Sequence, residues 1–285
     1  MSEDIAATVD CLKAMGTEIC IDGEEITVRP RRFGKSAELD CGESGSTLRF
    51  LLPVVSALNI DAVITGRGRL PERPVSPLKE EMEKKGVTFH GGSKFPLHLT
   101  GQLQPGEYEL AGNISSQFIT GLLFALPLLD GDSRIKLIPP VESKSYLDIT
   151  VSVLRKFGIS VEERKNLFII KGNGRYTSPG EITVDGDWSN SSFFLCAGAL
   201  SEKGVTVTGL NIASAQGDKK ILEVLRDMGA DVQISEDGIT VRKNKLNGVT
   251  VDASDIPDAV PVISVVAAAC EQHQPYEYGP NPFHT

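Results

Sequence analysis

Apolar and polar positions along this chain repeat with a period of about 70 residues. Four stretches, LKAMGTEICI, MEKKGVTFHG, LRKFGISVEE and LRDMGADVQI, each carry an apolar helix face that ends on a glycine. These glycines are Gly16, Gly86, Gly158 and Gly229, spaced 70, 72 and 71 residues apart. Strand-like alternation follows each one. A second signal runs in phase with the first. Leu39, Leu110, Val184 and Val251 are each predicted to lie in a short strand that leads through small polar residues into an apolar helix. Those helix starts read SGSTLRFLLP, NISSQFITGLL, SNSSFFLCAG and IPDAVPVISVV.

The pattern predicts a unit. Residues 61–66 (DAVITG) and 203–209 (KGVTVTG) read as β-branched strands ending in glycine, and the second leads into a helix bearing Leu222, Leu225 and Met228 at helical spacing. A glycine just past a helix suits the left-handed cap, which costs little without a Cβ. ADVQISEDGITVRK then reads as a strand pair turning at Asp237-Gly238. A third short strand and a second helix complete a β-α-β-β-β-α unit. The period exceeds that of the common solenoids, so each unit is a small α/β layer. Up to this point the repeat is equally a packing device.

Composition narrows the class. A length of 285 residues suggests about two domains, and 40% hydrophobic content is ordinary for a soluble α/β chain. The apolar run 118–129 is too short to span a bilayer, and the first fifteen residues carry acids rather than the apolar core of a signal peptide. Five cysteines, at 11, 20, 41, 196 and 270, form no CxxC pair, which points to reduced thiols in a cytoplasmic protein. A net charge of −9 argues against nucleic acid as a partner, so any anionic ligand needs a local cationic site.

The second helix starts supply such sites. Glu43-Ser44-Gly45-Ser46-Thr47 and Asn113-Ile114-Ser115-Ser116-Gln117 place hydroxyls, an amide and free backbone N–H groups at helix N-termini, where anions bind. The competing reading is plain N-capping. Arg67, Arg69 and Arg73 lie in GRGRLPERPVSPL, whose prolines stiffen the loop and limit the freedom lost on binding. Arginine's fork suits phosphate and carboxylate.

SGSTLRF, RLPERPVSPL, NISSQF, ESKSYLDIT, VDGDWSNSSFF and DIPDAVP, in this order, resemble the 5-enolpyruvylshikimate-3-phosphate (EPSP) synthase family over residues 1–270. The resemblance implies an α/β, two-lobed enolpyruvyl transferase fold built of repeated βαβαββ units. It also implies transfer of the enolpyruvyl group of phosphoenolpyruvate to the 5-hydroxyl of shikimate 3-phosphate. No metal, no organic cofactor and no membrane partner is implied, and the family is usually monomeric. Matched residue by residue, Ser115, Ser116 and Gln117 would grip shikimate 3-phosphate, with further contacts from Ser143 and Tyr146. Gly45 and Arg73 would meet phosphoenolpyruvate, and Gln117 both ligands. Asp258 would touch the ring hydroxyls and serve as base for the 5-hydroxyl; read from the residues alone, it is a helix cap.

The chain departs from the family at both ends. Members open with a strand and a Lys-Ser-x-Ser-x-x-Arg-type segment and continue past IPDA into a Lys-Glu-Ser-Asp-Arg-type motif; neither is matched here. The last fifteen residues, EQHQPYEYGPNPFHT, contain no Val, Ile, Leu, Ala, Lys or Arg. The expectation is a truncated or frameshifted product with both lobes incomplete: a first lobe over 1–185, part of a second over 186–270, and a non-matching tail over 271–285. Marginal stability and weak or absent activity in the chain alone follow. Two alternatives stand beside this: a non-catalytic anion-binding remnant or subunit of a split enzyme, and the sister transferase acting on UDP-N-acetylglucosamine. The latter uses a loop cysteine that none of the five here matches.

Overall fold

A computed structural model describes residues 1–142 and 144–270. The chain forms two compact units, residues 1–141 with 153–178, and residues 142–152 with the chain from 179 onward.

The first unit opens with α1 (Glu3–Ala14) and the antiparallel hairpin β1 (Glu18–Asp22) and β2 (Glu25–Arg29), a two-stranded sheet that leaves Ile21, Ile26 and Val28 exposed. Two copies of a βαβαββ motif follow. The first is β3 (Ser36–Asp40), α2 (Gly45–Ala57), β4 (Asp61–Thr65), α3 (Leu78–Glu83), β5 (Thr88–His90) and β6 (Leu97–Thr100). The second is β7 (Glu107–Ala111), α4 (Ser116–Ala125), β8 (Ser133–Ile138), α5 (Lys144–Lys156), β9 (Val161–Arg164) and β10 (Leu167–Ile170), with α5 up to residue 152 counted in the second unit. Their sheets have the same order, β3-β4-β6-β5 and β7-β8-β10-β9. In each, the first pair is parallel and joined across a helix, as parallel neighbours require, and the rest is antiparallel.

Each sheet buries one face. Leu39, Ala62, Ile64, Leu97 and Leu99 point into one core layer, and Tyr108, Leu110, Ile135, Leu137, Phe168 and Ile170 into the other. Between the layers α2 packs on α4. Gly121 makes that crossing close, since a Cβ there would lie 2.4 Å from the Arg49 carbonyl oxygen.

In the second unit the third copy is α6 (Trp188–Leu200), β11 (Val205–Val207), α7 (Ile221–Asp227), β12 (Asp231–Ser235) and β13 (Gly238–Arg242), and α8 (Val260–Ala268) begins a fourth. Its sheet has three strands, β11-β13-β12. Here the expected strands at Val184 and Val251 are corrected, because both segments are irregular. The first-unit counterparts, β3 and β7, exist by pairing with β4 and β8. Among the described residues no strand pairs with 184 or 251, and Val184 is 87% exposed. A strand without a ladder partner leaves its backbone groups to water.

The helix stops match the expectation in atomic detail. Gly16, Gly86, Gly158 and Gly229 all have left-handed φ, between +79° and +109°. The residue after each returns its N–H to a helix carbonyl five back: Thr17 to Leu12, Val87 to Met82, Ile159 to Leu154 and Ala230 to Leu225. This is the Schellman cap, repeated four times. No helix among the described residues is long and apolar enough to cross a membrane.

Candidate functional site

In the first unit, the N-termini of α2 and α4 gather the predicted anion-binding residues. Neither first turn contains an acid, although Glu43 stands just before the Ser44 cap of α2; each helix end carries a partial positive charge. Ser44 caps α2, its Oγ accepting the Thr47 N–H at 3.2 Å. Ser115 caps α4, accepting the Gln117 N–H at 3.3 Å, with Ser116 and Gln117 half-buried beside it. Arg73, which leaves a short 3₁₀ turn (Leu70–Glu72), reaches across Gly45. A Cβ at Gly45 would sit 2.7 Å from an Arg73 guanidinium nitrogen.

Arg49 joins them. It stands one turn along α2 from Gly45, on the same face. Its guanidinium donates to Gln117 Oε1 at 2.6 Å and to the Pro74 carbonyl at 3.4 Å, and it stacks over Phe118. Its Nε is buried without a partner. Burial, and then the charge of nearby Arg73, pull its proton affinity below that of a free guanidinium. Two arginines held close, each bonded to no carboxylate in the described hydrogen bonds, form a cradle whose repulsion an anion would relieve.

This geometry gives a first prediction. Gly45→Ala would crowd the side-chain end of Arg73 and touch the Arg49 guanidinium at 3.5 Å, with no backbone atom in the way, so the fold should stay within about 1 kcal/mol of wild type. Arg73 must swing away, and binding of inorganic phosphate at this cradle should weaken about tenfold, the size of one charge-assisted hydrogen bond. Calorimetric titration checks it, and unchanged affinity would contradict it.

The second unit carries a different chemistry. Tyr146, on α5, donates its phenol to Asp258 Oδ2 at 2.7 Å. Asp258 lies in a 3₁₀ turn (Pro257–Ala259) before α8 and is exposed; no side-chain cap bond forms at that turn. Next to Tyr146, Ser145 Oγ donates to the Asp255 carbonyl at 3.3 Å. Ser143 lies outside the described residues. The Tyr146 phenol is made a weaker acid by burial, by its bond to Asp258, and by the charges of Asp218, Asp258 and Asp187.

Asp218 was not anticipated. It lies in a 3₁₀ turn (Gly217–Lys220) leading into α7, is 5% exposed, and has a buried Oδ1 with no partner. Burial first, then Asp258 and Asp187, push its carboxyl from 3.8 up to about 6. Because the folded chain holds this proton more tightly than the unfolded one, the stabilisation it carries is complete below 3.8 and lost as pH rises through about 6. Asp218→Asn should therefore stabilise the second unit by about 2 kcal/mol near pH 8. The gain should shrink through about pH 6 and vanish near pH 4. Urea midpoints measured across pH test this; a pH-independent difference would refute it.

The arrangement of paired and antiparallel strands around crossover helices is that of the enolpyruvyl transferases. An EPSP synthase from Acinetobacter baumannii superimposes with a TM-score of 0.78 at 25% identity, covering 95% of this chain and 64% of its own. The enolpyruvyl transferase NikO from Streptomyces tendae shares the fold, with a TM-score of 0.72 at 21% identity, over 93% of this chain and 64% of its own. The family model described as EPSP synthase (3-phosphoshikimate 1-carboxyvinyltransferase) matches residues 1–275, and this chain belongs to that family. Curated relatives named 3-phosphoshikimate 1-carboxyvinyltransferase include one from Clostridium novyi, 40% identical over 284 residues. Another, from Clostridium kluyveri, is 41% identical over 271 residues. The chain spans about 64% of the length of these relatives, while 94% of it is covered by them.

Proposed function

We propose that this chain supplies substrate-binding and base groups for transfer of the enolpyruvyl group of phosphoenolpyruvate to the 5-hydroxyl of shikimate 3-phosphate, with release of phosphate. The observation that carries the reading is the pairing of Arg49 with Gln117 beside Gly45 and Arg73, across two acid-free helix N-termini. Phosphoenolpyruvate brings a phosphate and a carboxylate, and two guanidinium forks and two helix ends match that demand. Ser115, Ser116 and Gln117 offer hydroxyls and an amide to the phosphate and ring of shikimate 3-phosphate. In the second unit, Tyr146 orients Asp258, whose carboxylate takes the proton of the attacking hydroxyl while that oxygen keeps its electron pair. The assignment of Ser143 to the phosphorylated substrate belongs to the same reading. So does a soluble, cytoplasmic setting without nucleic-acid partners.

A non-catalytic anion-binding role is the second reading, favoured by the Arg49–Arg73 cradle beside Gly45, which needs no base group to hold an anion. The UDP-N-acetylglucosamine reaction has less support. Cys11, Cys41, Cys196 and Cys270 are buried, and the exposed Cys20 sits in β1 rather than a loop.

Calorimetric titration with shikimate 3-phosphate and then phosphoenolpyruvate, together with phosphate release, separates these readings. Binding of both with turnover supports the transferase. Binding without turnover supports the anion-binding role, and no binding by the folded chain removes both.

A further inference from the structure

The hairpin β1–β2 differs from the other hairpins of the repeat in what lies along its second strand. β6, β10 and β13 each pair antiparallel with their hairpin partner on one side and with β4, β8 or β11 on the other. β2 pairs with β1 alone, and no further backbone hydrogen bond among the described residues reaches it. All five of its residues, Glu25–Arg29, are exposed. In an antiparallel ladder alternate residues turn their N–H and C=O groups to the far side. β2 therefore presents an open edge, of the kind that recruits another strand.

Charges on an edge strand commonly repel such recruitment, but here they are self-complementary. Laid antiparallel on a second β2 about Thr27, the strand sets Glu25 opposite the partner's Arg29, Ile26 opposite the partner's Val28, and Thr27 opposite its own copy. Opposite charges, β-branched pairs and facing threonines are all favourable cross-strand neighbours. The single chain also leaves Glu25 badly placed. It stands opposite Asp22 within the hairpin, a like-charge pair that costs stability. The ion pairs of this hairpin, Arg29 and Arg31 to Glu18, leave Glu25 out. Arg29 gives Nη1 to Glu18 at 2.7 Å, and its guanidinium has further N–H groups to donate. On the other face Ile26 and Val28 stand opposite Ile21 and the buried Ile19, so pairing would extend an apolar row.

We propose that β2 is a self-association edge: two copies of this chain join β2 to β2 about a two-fold axis at Thr27, giving a four-stranded sheet β1-β2-β2-β1. The symmetry makes the Glu25–Arg29 match twice over, which a strand of unrelated sequence does not offer. Five residues per copy make a small contact, so the dimer belongs with weak interfaces, at a dissociation constant of about 0.1 mM. No residue of the candidate site lies on β2, so the proposal stands independently of the substrate reading.

Sedimentation velocity of the purified chain from about 0.02 to about 0.5 mM tests it. The sedimentation coefficient should climb from the monomer value toward that of a dimer. The discriminating variant is Glu25→Arg, which meets Asp22 with the opposite charge and the partner's Arg29 with the same charge. It should fold as wild type does and self-associate about tenfold more weakly. A wild-type chain that stays monomeric to about 0.5 mM overturns the proposal and leaves the edge to a strand of another polypeptide. A dimer of undiminished strength in folded Glu25→Arg overturns it as well, because the contact then lies elsewhere. If that variant does not fold, Thr27→Cys in a chain also carrying Cys20→Ser decides, the other four cysteines being buried. Oxidised glutathione should link two copies through position 27, where facing Cα atoms stand about 5 Å apart, within disulfide reach. Absence of that covalent dimer overturns the proposal.

Discussion

Gly121→Ala is expected to destabilise the first unit by about 3 kcal/mol, a large effect for one methyl group. Alanine is the better helix former by about 1 kcal/mol, so propensity alone predicts the opposite sign. Sterics win because the new Cβ would stand 2.4 Å from a backbone oxygen, that of Arg49, and 3.2 Å from the Pro53 ring. Neither atom belongs to a flexible side chain, so α2 and α4 must part. The same displacement pulls the Arg49 guanidinium from Gln117 Oε1, now 2.6 Å away. Stability and anion binding should fall together. Urea unfolding followed by circular dichroism, with phosphate titration beside it, checks both; a midpoint within about 0.5 kcal/mol of wild type would show that the crossing has slack.

Trp188→Ala should cost the second unit about 3–5 kcal/mol. Trp188 is wholly buried at the start of α6, amid a cluster that includes Leu195, Ile221, Leu225, Met228, Val241, Ile256 and Ile263. Its indole N–H donates to the Asn211 carbonyl at 3.1 Å, so truncation leaves both a cavity and an unpaired acceptor. The expected result is loss of a cooperative transition in this unit while the first unit keeps its own. As the chain has one tryptophan, wild-type fluorescence reports the second unit alone. The variant must be followed by circular dichroism or amide exchange. Retention of two full transitions would count against this account.

How much was legible varied with the range of the forces involved. The four glycine caps were readable because a left-handed φ is a local requirement. The hairpin near 237 was readable from alternation, although Gly238 already pairs with Ser235 and the connecting residues are Glu236 and Asp237. The strands expected at Val184 and Val251 looked as good locally as those at Leu39 and Leu110. They failed because a strand is completed by another strand, and that partner is not specified by the segment itself.

The candidate site divides the same way. Gly45, Arg73 and Gln117 stood out through their motifs, and Arg49 could have been found, since it follows Gly45 by one helical turn. Asp218 carried no such signal. Its sequence surroundings, AQGDKK, are polar and flanked by lysines, which reads as a solvated turn. It is buried in the fold, next to Gly217, whose close approach to Ser145 of α5 and to the Asp255 carbonyl no sequence pattern announces.

The amino-acid sequence by itself determined where helices begin and end, the repeat, and the membership of motifs, because capping and periodicity are settled within a few residues. Only the tertiary structure decided which expected strands exist, that Arg49 and Gln117 meet, that Tyr146 reaches Asp258, and that Asp218 is buried. Those outcomes depend on desolvation and on charges brought close from distant parts of the chain, and neither quantity exists until the chain is folded.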